Sequence, residues 1–211
     1  MSNREPRSSI RKRRIFISLA AVAIVIAGVL IRAPRSAVPP VVLAVDHRAL
    51  GPVDAPVTII EYGDFGCPTC RAWHYANVLN QMHDKYGNQV RFVWRDFPVI
   101  TAQSPKAAEA GQCAADQDKF WEFHDLVYAK FQIDVDSLKA DAAQLDLDTA
   151  RFNQCLDSGQ HTDDVNRDWQ EAKSHGFRAT PSFMINDKPF AGPPTLDMLV
   201  SLIDPMLKSG N

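Results

Sequence analysis

The chain has 211 residues, of which 45 % are hydrophobic and 23 % are charged, and its formal net charge is −2. This small value hides an asymmetry, because residues 1–36 hold eight Lys/Arg and one Glu, whereas the remaining residues hold 15 Lys/Arg and 24 Asp/Glu. A domain this acidic excludes nucleic-acid binding through its overall field, and the basic tail indicates membrane topology and contact with anionic lipid.

Residues 15–31 form an uncharged apolar run that follows four consecutive basic residues at 11–14. Its 17 residues are the lower limit for a membrane-spanning helix, and the basic cluster before it places the N-terminus in the cytoplasm. Since no convincing small-x-small cleavage site follows, we predict an uncleaved signal anchor in preference to a cleaved signal peptide. Either way the cysteines lie outside the cytoplasm, on the periplasmic side of the cell envelope, where disulfides persist.

The rest of the sequence divides into elements that predict a single α/β domain. Residues 1–14 are read as a basic cytoplasmic tail, 15–31 as the transmembrane helix, 32–50 as an extended linker, and 51–211 as the domain. Within it we predict, in order, a strand at 57–62, a helix at 68–86, a strand at 89–95, a helical region at about 104–174, two strands after Pro181 and a helix from Thr195 through Leu207. The first strand, helix and strand form a βαβ unit with a right-handed crossover.

The motif Cys67-Pro68-Thr69-Cys70 stands between the first strand and the first helix of the domain. Two cysteines separated by two residues at such a turn are typical of a redox-active dithiol. At a helix N-terminus, unpaired N–H groups and the helix dipole favour the thiolate of Cys67, which is the nucleophile in disulfide exchange. Taken alone, the motif also fits a chance pair, a structural disulfide or half of a zinc site.

Thr180-Pro181 precedes the first of the two late strands. A proline at the start of a strand can be cis, and we predict a cis bond here although an ordinary trans bond is the commoner state. In a dithiol oxidoreductase, such a proline exposes the preceding backbone beside the reactive cysteine, where a substrate chain could pair in an extended form.

Cys113 and Cys155 lie in two separate helical patterns. We predict a structural disulfide between them, which would close a loop of about 43 residues and stabilise the fold by about 4 kcal/mol in chain-entropy terms. A second redox pair that relays electrons and two inert buried thiols are the alternatives, and a four-cysteine zinc site fits the scattered spacing least well.

Together these motifs resemble those of the DsbA-like thioredoxin-fold thiol oxidoreductases, in their membrane-anchored bacterial envelope form. The resemblance covers residues 51–208 and is carried by Gly51-Pro52-x-Asp54-Ala55-Pro56-Val57, Glu61-Tyr62-x-Asp64-Phe65-x-Cys67-Pro68-x-Cys70, Cys113-Ala114-x-x-Gln117-x-Lys119-Phe120-Trp121-x-Phe123-His124-Asp125 and Ala179-Thr180-Pro181-x-Phe183. It implies a thioredoxin-like fold with a helical insertion and a catalytic role for Cys67, Cys70, Thr180 and Pro181.

The resemblance also assigns roles to residues that the motif alone does not explain. Glu61 matches an acidic residue that assists proton transfer beneath the active site. The alternative interpretation is a solvated carboxylate at the end of a strand, and the burial of Glu61 decides between the two. The Cys113–Cys155 pair resembles a disulfide found in the helical domain of some members. Thr69 stands where the best-known oxidant has a thiolate-stabilising histidine, which puts the oxidising strength in question. His74 and His124 are read as packing or solvated residues.

The function that follows is the introduction of disulfides into exported proteins by exchange at Cys67–Cys70. The expected partners are exported cysteine-containing substrates and a quinone-linked membrane protein that reoxidises the pair. We expect a monomer with no cofactor and no metal. Two alternatives stay open: a reductase or isomerase of substrate disulfides, and a non-catalytic envelope module that binds a metal or a partner through its cysteines.

Overall fold

The computed structural model describes residues 46–209. The predicted basic tail, the predicted anchor at 15–31 and all of the predicted linker up to residue 45 lie outside the described residues. Within residues 46–209, none of the helices has both the length and the apolar character required to cross a membrane.

One mixed sheet of five strands forms the centre of the domain, in the order β1-β3-β2-β4-β5. Strands β2 and β3 are parallel, and the other neighbours are antiparallel. The strands are β1 (Ala49–Leu50), β2 (Val57–Gly63), β3 (Val90–Asp96), β4 (Ser182–Ile185) and β5 (Lys188–Ala191). The parallel pair confirms the predicted βαβ unit, because only a crossover can join parallel neighbours.

The two central strands are apolar along most of their length because the sheet is covered on both faces. In the middle of β2, Ile59 pairs with Phe92 on one side and with Ile185 on the other, and all three are buried. The short edge strand β1 comes from the end of the segment assigned to the linker, and no periodicity in two residues could have indicated it. Arg48, just before it, holds this edge by hydrogen bonds from Nη1 to Asp96 (3.0 Å) and Asp168 (2.6 Å).

The helix predicted at 68–86 is two helices, α1 (Pro68–Tyr75) and α2 (Val78–Tyr86). The break falls at Asn77, whose φ of 58° lies in the left-handed region that asparagine tolerates better than most residues. Gln81 stabilises the break, since its Nε2 donates to the carbonyl oxygens of Ala76 and Asn77. Apolar residues continue at helical spacing across the break, which explains why the sequence predicts one helix.

Five helices form the insertion between β3 and β4. They are α3 (Ser104–Ala115), α4 (Phe120–Lys130), α5 (Val135–Gln144), α6 (Thr149–Ser158) and α7 (Thr162–Ser174). Asp134 and Asp148 cap α5 and α6 by accepting from backbone N–H groups three residues ahead, as the sequence predicts for these turns. The chain ends in α8 (Leu196–Ser209), which packs Leu199 and Ile203 into the core of the sheet.

Cys113 of α3 and Cys155 of α6 form a disulfide, with their Cα atoms 5.9 Å apart and 42 residues apart in sequence. The bond lies within the core of the insertion, where Cys113 is 1 % and Cys155 5 % exposed. Since both sulfur atoms are bonded to each other, neither is a thiolate that could ligate zinc in this structure.

Candidate active site

The turn after β2 positions Cys67 at the beginning of α1. Asp64 shapes this turn: its Oδ1 accepts from the N–H of Gly66 (2.7 Å), and its carbonyl oxygen accepts from the N–H of Cys67 (3.0 Å). Cys67 is the N-cap of α1, with Pro68 in the first turn, where a missing N–H costs nothing. The sequence therefore builds the helix terminus that the predicted thiolate chemistry requires.

Gly63, the last residue of β2, allows the ring of Trp94 to pack directly against the backbone before this turn. A Cβ atom at that position would collide with the Trp94 ring, which packs over the end of β2. Trp94 is fully buried, and its Nε1 donates to Asp96 (2.8 Å). The indole therefore packs directly against the backbone at the end of β2, four residues before Cys67.

The structure shows Cys67 and Cys70 as free thiols, so it describes the reduced, dithiol form. The Cys67 sulfur accepts from the N–H of Cys70 (3.3 Å) and donates to the carbonyl oxygen of Thr180 (3.4 Å). Cys67 is 2 % exposed and Cys70 is not exposed at all. Incoming sulfur therefore meets Cys67 first, and Cys70 lies one helical turn behind it.

Hydrogen bonds and burial separate the acidities of the two thiols. The hydrogen bond from the Cys70 side chain is the largest cause that lowers the pKa of Cys67, to about 6, with smaller contributions from Thr180 and from the N–H groups of Cys70 and Thr69. Burial opposes this effect but does not cancel it. Burial raises the pKa of Cys70 well above its usual range, helped by the hydrogen bond to Cys67 and the charge of Glu61. At neutral pH the pair is thus one thiolate and one thiol.

The Thr180–Pro181 peptide bond is cis, and Thr180 faces the active-site sulfur. The hydroxyl of Thr180 is buried, and none of the described residues hydrogen-bonds to it. It is therefore available to donate to the Cys67 thiolate, which agrees with its lowering of the pKa of that thiol. Thr69 contributes only its backbone N–H, so the thiolate is stabilised without a histidine between the cysteines.

Glu61 lies in β2 and is 3 % exposed, so it is not a solvated strand-end carboxylate. Burial, together with a smaller contribution from the negative charge of Cys67, raises its pKa to about 8. No hydrogen bond joins the Glu61 carboxyl to any of the described residues. A buried carboxyl that titrates near neutrality beside two thiols can exchange protons with them.

Two groups of side chains could offer three donor atoms to a metal within the described part of the chain. One comprises His74, His124 and Asp125, whose donor atoms lie within 4.8 Å of one another. The other comprises His161, Cys113 and Cys155, but the two sulfur atoms of this group are bonded to each other in the disulfide. His124 is buried and not the surface residue that one reading of the sequence allowed, while His74 is half-buried.

An apolar groove begins at the active-site motif itself. Its volume is about 400 Å³, and it is lined by side chains of α1, α2, the segment before α8 and the beginning of α8, including Thr69, Trp73, Val78, Pro194 and Leu196. Trp73 joins the two sides of the groove, since its Nε1 donates to the carbonyl oxygen of Pro194 (2.8 Å). The groove could hold apolar side chains of a chain whose cysteine reaches Cys67.

Two residues of the site were not singled out from the sequence. Asp64 positions the turn, and its Oδ2 also accepts from the N–H groups of Val99 and Ile100 at 2.8 Å. Tyr128 of α4 is fully buried behind the cysteines and donates to the Asp64 carbonyl oxygen (3.3 Å). The aspartate in a turn two residues before a glycine was a usable signal, whereas Tyr128 looked like any core aromatic.

Comparison with known proteins identifies the family to which the chain belongs. A family model described as thioredoxin matches residues 44–205. The probable disulfide bond formation protein D of Bacillus anthracis is 31 % identical over 174 residues, which cover 77 % of this chain and 79 % of that protein. The chain belongs to the thioredoxin family. Within it, the chain is a DsbA-like protein, and the predicted thioredoxin-like α/β fold with a helical insertion is confirmed.

Solved structures agree with this fold. Oxidised BdbD from Bacillus subtilis superposes with a TM-score of 0.70 at 24 % identity, covering 76 % of this chain and 92 % of that one. The α-DsbA1 protein of Wolbachia pipientis gives a TM-score of 0.67 at 26 % identity, covering 77 % and 91 %. The chain also matches the Na⁺/H⁺ antiporter NhaA 3 of Salinispora tropica, at 34 % identity over 161 residues, but spans only 24 % of the length of that relative.

Proposed function

We propose that this protein is an extracytoplasmic thiol:disulfide oxidoreductase that introduces disulfides into exported proteins. The observation that carries the proposal is the division of acidity at the site. Cys67 at the N-cap of α1 has its pKa lowered to about 6, while Cys70 behind it is kept protonated. A sulfur that is stable as a thiolate is a good leaving group, and this is the property that a disulfide donor needs.

The reaction begins with the oxidised enzyme, in which Cys67 and Cys70 share a disulfide. A substrate thiolate attacks the Cys67 sulfur, the enzyme disulfide breaks, and Cys70 leaves as a thiolate that takes a proton. A second substrate thiolate then attacks the substrate sulfur of the mixed disulfide, and Cys67 leaves as a thiolate. Two electrons have passed from the substrate dithiol to the enzyme, which is released in the reduced form.

Substrate contact is assigned to two features beside Cys67. The backbone at Thr180 faces the sulfur and can pair with an extended substrate chain. The apolar groove that starts at Thr69 can accept the side chains that flank the substrate cysteine. Both contacts are tolerant of sequence, which suits an enzyme that acts on many exported proteins.

The proposed setting is the cell envelope, with residues 15–31 as a single-pass anchor and the catalytic domain on the periplasmic side. The proposal is supported by the basic residues before that run. A membrane redox partner, quinone-linked in our proposal, would reoxidise Cys67–Cys70. Membrane fractionation, followed by protease protection in spheroplasts, tests the topology: the domain should be cleaved from outside while the tail at 1–14 is protected.

The decisive experiment is the redox equilibrium of Cys67–Cys70 against glutathione in the full chain, with the four cysteines mapped by mass spectrometry. A disulfide donor predicts that this pair is easily reduced while Cys113–Cys155 stays closed. If Cys67–Cys70 instead resists reduction like an ordinary structural disulfide, the donor function is wrong and a reductase or a non-catalytic role replaces it.

A further inference from the structure

A small cavity lies directly beneath the active site, between β2, α1 and α4. Its volume is about 20 Å³, and its lining includes Glu61, Trp73, His74, Trp121, His124 and Tyr128. A cavity of this size is large enough for one water molecule, provided that polar groups line it. The rest of the lining is apolar, with Leu79 and Phe92, so a water there would be held by the few polar groups of Glu61, Trp121 and His124.

Two of the lining residues carry polar groups that have no protein partner. The carboxyl of Glu61 receives no hydrogen bond from the described residues, and the Nε1 of Trp121 is buried and equally unpartnered among them. Buried polar groups are normally satisfied, and an unpaired one costs about 1–3 kcal/mol. A single water in the cavity can accept from Trp121 and donate to Glu61, which satisfies both.

His124 lies between this cavity and the protein surface. Its Nδ1 lies 2.9 Å from the Oδ1 of Asp125, and its ring centroid is 5.2 Å from that of His74. Asp125 is largely exposed, and the same three residues line a wider, open pocket of about 410 Å³ on the outer side. Thus one imidazole borders both the small cavity at Glu61 and the wider pocket at the surface.

We propose that His124, assisted by His74 and Asp125, conducts protons between solvent and Glu61 through a water molecule in this cavity. The inference rests on the proposed function and adds to it the route by which Cys70 exchanges its proton. Such a route is needed because Cys70 has no exposed surface and so cannot exchange protons with bulk water directly. His124 is accordingly a positioning residue that acts through Glu61.

The proton balance of the first exchange step defines the roles of Glu61 and His124. A substrate thiolate forms a bond to the Cys67 sulfur, the Cys67–Cys70 bond breaks, and Cys70 leaves as a thiolate that takes the proton of the Glu61 carboxyl. Glu61 is then a carboxylate, which is reprotonated through the cavity water from His124. His124 in turn takes a proton from solvent at the Asp125 side. Electrons move only between sulfur atoms, and one proton enters from solvent.

The electrostatic surroundings favour proton transfer along this route. Burial raises the pKa of Glu61 to about 8 and lowers that of His124, so the order of the two pKa values is reversed and transfer of a proton from protonated His124 to a Glu61 carboxylate is favourable. The groups that face Glu61 are Cys67, Cys70 and Tyr128, and those that face His124 are Asp125, His74 and Tyr128. Arg71 of α1 contributes a cation beside Tyr128, since its Nε donates to the Tyr128 carbonyl oxygen (2.7 Å).

The test is the single-turnover oxidation of a synthetic two-cysteine peptide by the full chain in detergent micelles, followed by tryptophan fluorescence across pH 5 to 9. His124→Gln should slow the step on the order of tenfold near neutral pH and increase its solvent deuterium isotope effect. His74→Gln should give a smaller loss in the same direction. The glutathione equilibrium constant should stay within about twofold of that of the unsubstituted protein, since a relay changes rates and not end states. His83→Gln, on the exposed side of α2, is the matched control and should change neither the rate of peptide oxidation nor the equilibrium constant.

Several results would overturn the relay. One is a wild-type rate and pH profile in both His124→Gln and His74→Gln; another is a loss of rate matched by an equal shift in the equilibrium constant, which indicates a structural effect. If His124→Gln does not fold, the same measurements are made on His74→Gln and Asp125→Asn. Unsubstituted rates and pH profiles in both of these variants would then overturn the relay. An unsubstituted chain that does not oxidise the peptide contradicts the proposed function itself, and the relay with it.

Discussion

The two cysteine pairs of this protein occupy regions with opposite physical character. Cys67–Cys70 lies at the end of a strand and the beginning of a helix, where the Cys70 thiol, the Thr180 hydroxyl and backbone N–H groups can all reach the Cys67 sulfur. Cys113–Cys155 lies in the interior of α3 and α6, where the backbone N–H groups bond within their own helices. The same residue type is therefore a stabilised thiolate in one region and half of a closed disulfide in the other.

The position of a cysteine within a helix decides its chemistry as much as its burial does. All four cysteines are at most 5 % exposed. Only Cys67 stands at a helix N-terminus, where orphan N–H groups stabilise negative charge on sulfur. Burial without such donors disfavours the thiolate, as the raised pKa of Cys70 shows.

The largest effect should come from replacing the one stabilised thiolate. Cys67→Ser should abolish peptide oxidation, because the hydroxyl that replaces the thiol neither ionises near neutral pH nor forms a disulfide. The measurement is the rate of disulfide formation in a two-cysteine peptide, with denaturation curves to show that the variant is folded. Activity that persists in this variant would show that Cys113–Cys155 is a second redox centre.

Removing the other pair should affect stability and leave exchange intact. The double variant Cys113→Ala, Cys155→Ala should lower the free energy of unfolding by about 4 kcal/mol, as the chain-entropy account gives for its loop. The measurement is urea denaturation beside the unsubstituted protein, together with the pKa of Cys67 from thiolate absorbance. An unchanged stability, or a shifted pKa of Cys67, would contradict the separation of the two regions.

The buried acid beneath the reactive pair should give a pH-dependent change of intermediate size. The folded pKa of Glu61, about 8, lies above its ordinary value of 4.5, so its contribution to stability is present below pH 4.5 and is lost by about pH 8. Glu61→Gln does not titrate, so at pH 8 the variant should be more stable than the unsubstituted protein by on the order of 4 kcal/mol. Denaturation at pH 4.5 and pH 8 measures this, and equal differences at the two values would contradict it.

The smallest expected effect concerns the hydroxyl opposite Cys67. Thr180→Val keeps the shape of the side chain but removes the donor, so the pKa of Cys67 should rise by roughly 0.5 to 1 pH unit. Thr180→Ser keeps the hydroxyl and is the matched control. Thiolate absorbance against pH measures both, and an equal rise in the two variants would assign the effect to the methyl group instead.

For the fold, the sequence by itself determined the elements that carry strong periodicity or a clear cap. The apolar runs of β2 and β3, the aspartate caps of α5 and α6 and the helical character of 104–174 were all predictable, because each is a local pattern. Strand β1 and the break at Asn77 were not, since two residues carry no period and the apolar spacing continues through the break. Strand β1 forms by pairing with β3, and the left-handed conformation of Asn77 makes the break between α1 and α2.

At the site, the sequence determined which sulfur would be reactive, because a strand, a turn and a helix start are readable around Cys67. Only the tertiary structure decided how the remaining groups meet it. Thr180 lies 113 positions from Cys67 in sequence and Tyr128 lies 64 positions from Asp64, yet both pairs are within hydrogen-bonding distance. The burial of Glu61 and the cavity that joins it to His124 depend on α4 packing over β2. Such contacts are set by the assembly of distant segments and leave no local signal in the chain.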